Sequence, residues 1–329
     1  MSLWRHRGPD AEAVERLRRR HARTLNGGEL AAALSRLAAD AGVPPIDPAS
    51  VVAQPLVLRR DRFIVTVDAR SAAGPVALIA KGYTDERAAQ AFANHRALWD
   101  AGLGADRDVD IGRPWGVIDS LGLVVTERFP GRHPSAGDLE GARLAARATA
   151  RLHGCAARLA PRVELGVVLD NLERRMRLLA ARAPDLERSP VELAQTARVL
   201  GDELGGQDAR PVNGDLSRES FIIVDGRTHL IDWDLSCEFD PAWDVGHYLA
   251  QARRYELRHP VSTDQLRATF VEAYVDATAA DAAFLRRVDY YEGIVCLHKA
   301  HTIGRYGAPV EHSAALVDAA ARALARAGA

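Results

Sequence analysis

Apolar residues recur at helical spacing in two stretches between Asp10 and Asp40, with Asn26-Gly27-Gly28 as a stop and restart, and Pro44-Pro45-Ile46-Asp47-Pro48 closes that section. The pattern then shifts to short apolar runs between turn residues. Leu56-Val57-Leu58, Phe63-Ile64-Val65-Thr66-Val67 and Val76-Ala77-Leu78-Ile79-Ala80-Lys81 read as antiparallel strands, the first two joined by the polar turn Arg59-Arg60-Asp61-Arg62. A helix is predicted over about 85–101, capped by Thr84 and closed by Gly102, followed by strands at Trp115-Gly116-Val117-Ile118 and Leu123-Val124-Val125-Thr126-Glu127. Beyond Arg128-Phe129-Pro130-Gly131 the periodicity is helical, near 138–160, 168–183, 190–204, 241–256, 264–278, 282–305 and 312–327. One segment interrupts it: Phe221 to Ile231, apolar runs on either side of Asp225-Gly226, reads as a β-hairpin.

These elements predict an α+β chain with two lobes. Residues 1–50 form a helical extension, 51–127 a small lobe of antiparallel sheet with one helix, 128–134 a hinge, and 135–329 a larger helical lobe that carries the hairpin. The cleft between two lobes is the expected ligand site. The hairpin also folds Asp232, at the end of its second strand, back toward Asp215 in the tight turn Val212-Asn213-Gly214-Asp215-Leu216. Two carboxylates held close repel unless a cation or proton lies between them, so the pair points to a metal site with a general base beside it, and hence to phosphoryl transfer.

Composition narrows the setting. With 329 residues, 47% hydrophobic, the chain buries a sizeable core, yet no apolar run approaches bilayer length, and Met1 to Asp10 lacks the apolar stretch of a signal peptide. A cytoplasmic protein with no membrane partner is expected. Cys155, Cys237 and Cys296 are too scattered for a disulfide framework or a zinc site. A formal net charge of −1 argues against a nucleic-acid partner, and the basic run from Val14 to His21 reads as a solvated helix face. Lys81 and Lys299 are the only lysines in an arginine-rich chain, which marks them as places where a compact ammonium is wanted.

Three stretches in register, Asn213-Gly214-Asp215, Ile231-Asp232-Trp233-Asp234 and Asp240-Pro241-Ala242-Trp243-Asp244, resemble the signatures of the aminoglycoside phosphotransferase and choline kinase-like family, a branch of the protein-kinase-like fold. The resemblance implies a bilobal fold and a small-molecule kinase that transfers the γ-phosphoryl of ATP or GTP, with Mg2+, to a hydroxyl of an antibiotic, sugar or amino alcohol. It makes Asp215 the catalytic aspartate, Asp232 the main metal ligand and Lys81 the phosphate clamp. Glu127, Arg128 and Phe129 become the connector facing the nucleotide base, and Asp240 and Asp244 the braces of the catalytic loop. Arg60, in a phosphate-side turn without glycine, is expected to contact phosphate through its side chain.

This sequence departs from the family pattern at three places. Ser220 replaces the asparagine that supplies a second metal ligand, a place its hydroxyl is expected to take, Asn213 replaces a histidine, and Ala91 and Asn94 stand where a glutamate pairs with the lysine, leaving Asp85 and Glu86 as the nearest acids. The alternative reading is therefore a pseudokinase that binds a nucleotide or small molecule without turnover. For the acceptor, Asp234, Glu238, Tyr290, Tyr291, Glu292, His298 and His301 are the candidates, and the carboxylates among them suit a cationic small molecule.

Overall fold

The computed structural model describes residues 9–105, 109–205, 209–259 and 261–329; Met1–Gly8, read above for a signal peptide, lie outside them. The chain forms two compact units. One holds the described residues up to Gly131 together with His229–Asp234; the other holds Arg132–Thr228 and Leu235–Ala329.

The first unit begins with helices α1 (Ala11–Leu25) and α2 (Gly28–Asp40) and continues with strands β1 (Val52–Leu58), β2 (Arg62–Ser71) and β3 (Gly74–Tyr83). Helix α3 (Arg87–Asp100), the two-residue β4 (Val109–Asp110), β5 (Pro114–Ile118) and β6 (Leu123–Glu127) complete it. The sheet is antiparallel, ordered β1-β2-β3-β6-β5, with β2 and β3 paired from Arg62 opposite Tyr83 to Ser71 opposite Gly74. Side chains alternate across it. Phe63, Val65 and Val67 of β2 and Leu78 and Ala80 of β3 form one core with Leu17, Leu30 and Leu34 of α1 and α2, so the first two helices cover one face. The residues between them, Arg62, Ile64, Lys81 and Tyr83, therefore belong to the opposite face, where Tyr83 packs with Ala88 of α3 and Val124. Helix α3 starts two residues later than expected, because Thr84 spends its N–H and hydroxyl on the Asp61 carbonyl rather than capping the helix.

The second unit is helical: α4 (Leu139–His153), α5 (Leu165–Arg182) and α6 (Pro190–Leu204), then α7 (Ala242–Glu256), α8 (Asp264–Thr278), α9 (Ala282–Arg305) and α10 (Val310–Gly328). Between α6 and α7 run β7 (Arg210–Val212), the hairpin strands β8 (Phe221–Val224) and β9 (Arg227–Leu230), and β10 (Cys237–Phe239), which pairs antiparallel with β7. Asp225 and Gly226 both have positive φ, +49° and +77°, as a two-residue hairpin turn requires. The expected helix over 138–160 stops at Gly154, and β7 and β10, three residues each, escaped the periodicity altogether. Helix α9 packs against α5, α6, α7 and α10, and every residue from Tyr290 to His298 is buried. All three cysteines are free and buried.

Candidate active site

The turn that carries Asp215 is built by hydrogen bonds from below. Asp244, fully buried in the first turn of α7, accepts the backbone N–H groups of Asn213 at 2.7 Å and Gly214 at 2.9 Å, and the Trp243 indole donates to the Gly214 carbonyl at 3.0 Å. His153 Nε2 lies 3.2 Å from the same carboxylate. Gly214 sits at φ +85°, and a Cβ there would press on the Leu235 carbonyl oxygen, so the turn admits only glycine without strain. Asn213 Oδ1 accepts the Asp215 N–H at 3.3 Å, keeping a bracing role in place of histidine. Asp240 caps α7 through the Ala242 N–H at 3.0 Å and pairs with Arg287 at 3.0 Å.

Asp215 meets two donors of its own unit. His247 Nε2 lies 3.1 Å and Lys299 Nζ 3.3 Å from Oδ1, while among the described residues Oδ2 has no hydrogen-bond partner. His247 Nδ1 donates to the Leu216 carbonyl at 2.8 Å, so the ring faces an acceptor at each nitrogen. Burial pushes the Asp215 pKa up, but the Lys299 charge and the His247 hydrogen bond outweigh it and hold the carboxyl well below the usual range. Its side chain is 53% exposed, so the ionised group is presented rather than hidden.

In the first unit, Lys81 gathers a second group. Its ammonium lies 2.6 Å from Asp232 and 3.2 Å from Asp234, Tyr83 donates its hydroxyl to Asp234, and Arg62 lies 3.9 Å from the same carboxylate. Asp85 pairs instead with Arg87, and Ala91 and Asn94 are buried in α3, so the partner expected from the helix comes from the segment after the hairpin. Asp234 is 9% exposed and Asp232 45%. Burial raises the pKa of both, but Lys81 and the Tyr83 hydrogen bond bring Asp234 down, whereas the charge on Asp234 keeps Asp232 raised. Asp232 also has φ +69°, a backbone state that aspartate tolerates better than most residues and that clusters at functional sites.

Among the described residues no group of three or more His, Cys, Asp or Glu converges as a metal site. What the chain offers is an accessible carboxylate, Asp232, with a second one, Asp234, beside it, and that fits Mg2+, which binds one or two protein carboxylates and takes its other ligands from water and substrate phosphates. Ser220, nominated as a metal ligand, is buried, and its Oγ accepts the Ser217 N–H at 3.1 Å in a capping box.

The other nominated residues are placed as follows. Arg60 is exposed at its turn, and Arg62 is the arginine that faces the Lys81 group. The N–H groups of Glu127 and Arg128 bond to the Arg113 and Ala77 carbonyls, and the Phe129 ring stacks on His229 at 3.7 Å. Glu238 accepts the Leu159 N–H at 3.2 Å; Tyr291 donates to Asp240 at 3.3 Å; Glu292 pairs with Arg267 and, at 3.0 Å, with Arg326. Tyr290 is buried in α9. His298 and His301 are buried and their pKa values pushed down, His301 to about 4, by burial and by Arg175 beside both.

His247 and Lys299 are the residues that sequence reasoning did not attach to the site. Only the scarcity of lysine pointed at Lys299.

A family model for the phosphotransferase enzyme family matches residues 50–287. No curated protein matches the chain. Among solved structures, the choline kinase LicA from Streptococcus pneumoniae is 17% identical with a TM-score of 0.58, over 84% of this chain and 94% of that one. A choline/ethanolamine kinase family protein from Mesorhizobium loti is 20% identical with a TM-score of 0.58, over 83% and 87%. The amicoumacin kinase hAmiN, in complex with AMP-PNP, Ca2+ and Ami, is 15% identical with a TM-score of 0.56, over 88% and 92%. These likenesses show a protein-kinase-like fold, and none of the neighbours' ligands is carried over by them.

Proposed function

Since the chain belongs to the phosphotransferase enzyme family, we propose that it is a small-molecule kinase that moves the γ-phosphoryl group of ATP or GTP to a hydroxyl acceptor. The observation that carries this reading is Asp215, ionised, half exposed, and held at one oxygen by Lys299 and His247 so that the other is open to a hydroxyl. That oxygen orients the hydroxyl and takes its proton as the hydroxyl oxygen bonds to the γ-phosphorus and the bridging oxygen leaves with the diphosphate. A carboxylate of low basicity suffices, because a loose transition state asks for position and charge neutralisation more than for base strength. Lys81 and Arg62 neutralise phosphate, and Phe129 flanks the base. Asp232 would hold Mg2+, which supplies charge neutralisation to the phosphates.

The carboxylates expected to receive a cationic acceptor each have an internal partner, Asp234 with Lys81, Glu238 with the Leu159 N–H and Glu292 with Arg267. The ammonium of Lys299 touches Asp215, which favours a neutral or anionic hydroxyl compound over an amino sugar or amino alcohol.

Purified protein with Mg2+ and nucleotide, offered a panel of neutral, anionic and cationic alcohols, tests the proposal. Asp215→Ala is expected to lower turnover by at least ~10²-fold at unchanged nucleotide affinity. Nucleotide binding without transfer to any acceptor favours the pseudokinase alternative, which draws on the commitment of the Ser220 hydroxyl to its capping box.

A further inference from the structure

A cavity of about 250 Å³ lies within the second unit, away from the Asp215 carboxylate. The C-terminal half of α7, the turn after it, the start of α8, Ala136, and Arg218 and Glu219 of the catalytic loop line it. Its lining is cationic: Arg218, Arg254 and Arg258 contribute, against the single carboxylate of Glu219, which is already paired with Arg218 at 3.0 Å. Arg218 lies over the Tyr255 ring at 4.1 Å, and Tyr255 stacks on His259 at 3.9 Å, so this wall is ordered by aromatic contacts rather than left to solvent.

Tyr248 supplies the second observation. Its ring is stacked on Phe270 at 3.9 Å, the residue is 2% exposed, and it lines the cavity, yet among the described residues its hydroxyl has no hydrogen-bond partner. A buried hydroxyl without a partner is costly, and a phenol in a cavity lined by Arg218, Arg254 and Arg258 is satisfied by an anionic oxygen. Burial pushes the Tyr248 pKa up, with Arg218 opposing, so the group remains a neutral donor at every physiological pH.

We propose that this cavity binds a small phosphate-bearing molecule, its anionic oxygens held by Arg218, Arg254, Arg258 and the Tyr248 hydroxyl. Guanidinium forks match phosphate geometry, and the excess of three arginines over one glutamate suits a ligand of more than one negative charge. The site reaches the catalytic machinery through Arg218, which opens the turn closed by the Ser217–Ser220 capping box directly after Asp215 and Leu216. A ligand that draws Arg218 from Glu219 therefore acts on the same loop.

The full-length protein is titrated calorimetrically with inorganic phosphate and with phenyl phosphate, and with benzoate as a carboxylate control. Both phosphates are expected to bind, with affinity falling about tenfold in Tyr248→Phe and in Arg258→Gln. Binding is expected to persist in Lys81→Met, which disables the phosphate contact proposed for the nucleotide. Absence of saturable phosphate binding overturns the proposal. So does binding that Lys81→Met abolishes and the two cavity variants leave intact, and so does benzoate binding as tightly as phosphate. Thermal melts of the cavity variants establish that they are folded; Arg258 is exposed and Tyr248→Phe removes a single oxygen.

Discussion

Replacing Lys299 by methionine removes the ammonium from Asp215 while keeping most of the aliphatic stem. At 3.3 Å the pair attracts by about 5 kcal/mol at an effective dielectric of about 20 and by about 1 kcal/mol in bulk water. Asp215 is 53% exposed, so solvent screening puts the real value toward the lower end, ~1–3 kcal/mol, or roughly 1 to 2 pKa units. The Asp215 pKa is then expected to rise by that amount and still lie below neutrality, because His247 remains. Carboxyl-carbon NMR of labelled aspartate, followed from pH 7 downward, reads it directly. Asp215 is expected to titrate roughly 1 to 2 units higher in Lys299→Met than in the wild-type protein, while Lys299→Arg stays close to wild type. At pH 7 turnover falls by no more than about tenfold, through loss of position rather than of charge. Identical titrations in wild type and Lys299→Met, or an arginine variant indistinguishable from the methionine one, would refute the assignment of Lys299 as the group that holds Asp215 ionised.

Gly214→Ala is expected to cost about 10²-fold in turnover with the protein still folded, because the positive φ and the Leu235 carbonyl force the turn, and Asp215 with it, to move; kcat measured beside the melting temperature checks it, and full activity would count against the strain. His95 tests a stability linkage. Its Nε2 lies 2.9 Å from both the Ile111 and Gly112 carbonyls, and burial, against those hydrogen bonds, pushes its pKa down to about 4. Between the ordinary value near 6.5 and about 4 the unfolded chain binds a proton that the folded one does not, so stability falls as pH falls through that window, by about 2 kcal/mol at pH 5. Urea midpoints at pH 7 and pH 5 for wild type and His95→Gln, which keeps a donor, measure it; equal pH dependence in the two proteins would remove His95 as the source.

Local chemistry carries over short stretches of chain, and that is why so much was legible without coordinates. Alternation and helical spacing located the sheet strands and nearly every helix, since side-chain direction repeats with the backbone. Asp225-Gly226 announced its hairpin because few other pairs accept two consecutive positive φ angles. The Asp215 turn, Asp232 and the following Trp-Asp motifs lie within about thirty residues, so their resemblance to the family's signatures shows in one short stretch of chain. Three-residue strands such as β7 and β10 are too short for any period to show.

What decides the site is contact between residues far apart in the chain, and no local rule reaches it. A helical pattern tells which face of α9 is apolar but not that Lys299 meets a turn 84 positions earlier, nor that His247 arrives beside it from α7. Lys81 takes Asp232 and Asp234 as partners instead of an acid on α3 because the non-strand segment after the hairpin, through Asp234, belongs to the same compact unit as β3. Glu238, Tyr291 and Glu292, chosen by type and spacing as acceptor contacts, are committed to internal hydrogen bonds and ion pairs, since a buried polar group must find a partner wherever packing provides one. Sequence alone determined which chemistry the chain carries and in what order; tertiary packing alone decided which charges face Asp215, because Coulomb and hydrogen-bond energies depend on distance in space and not on separation along the chain.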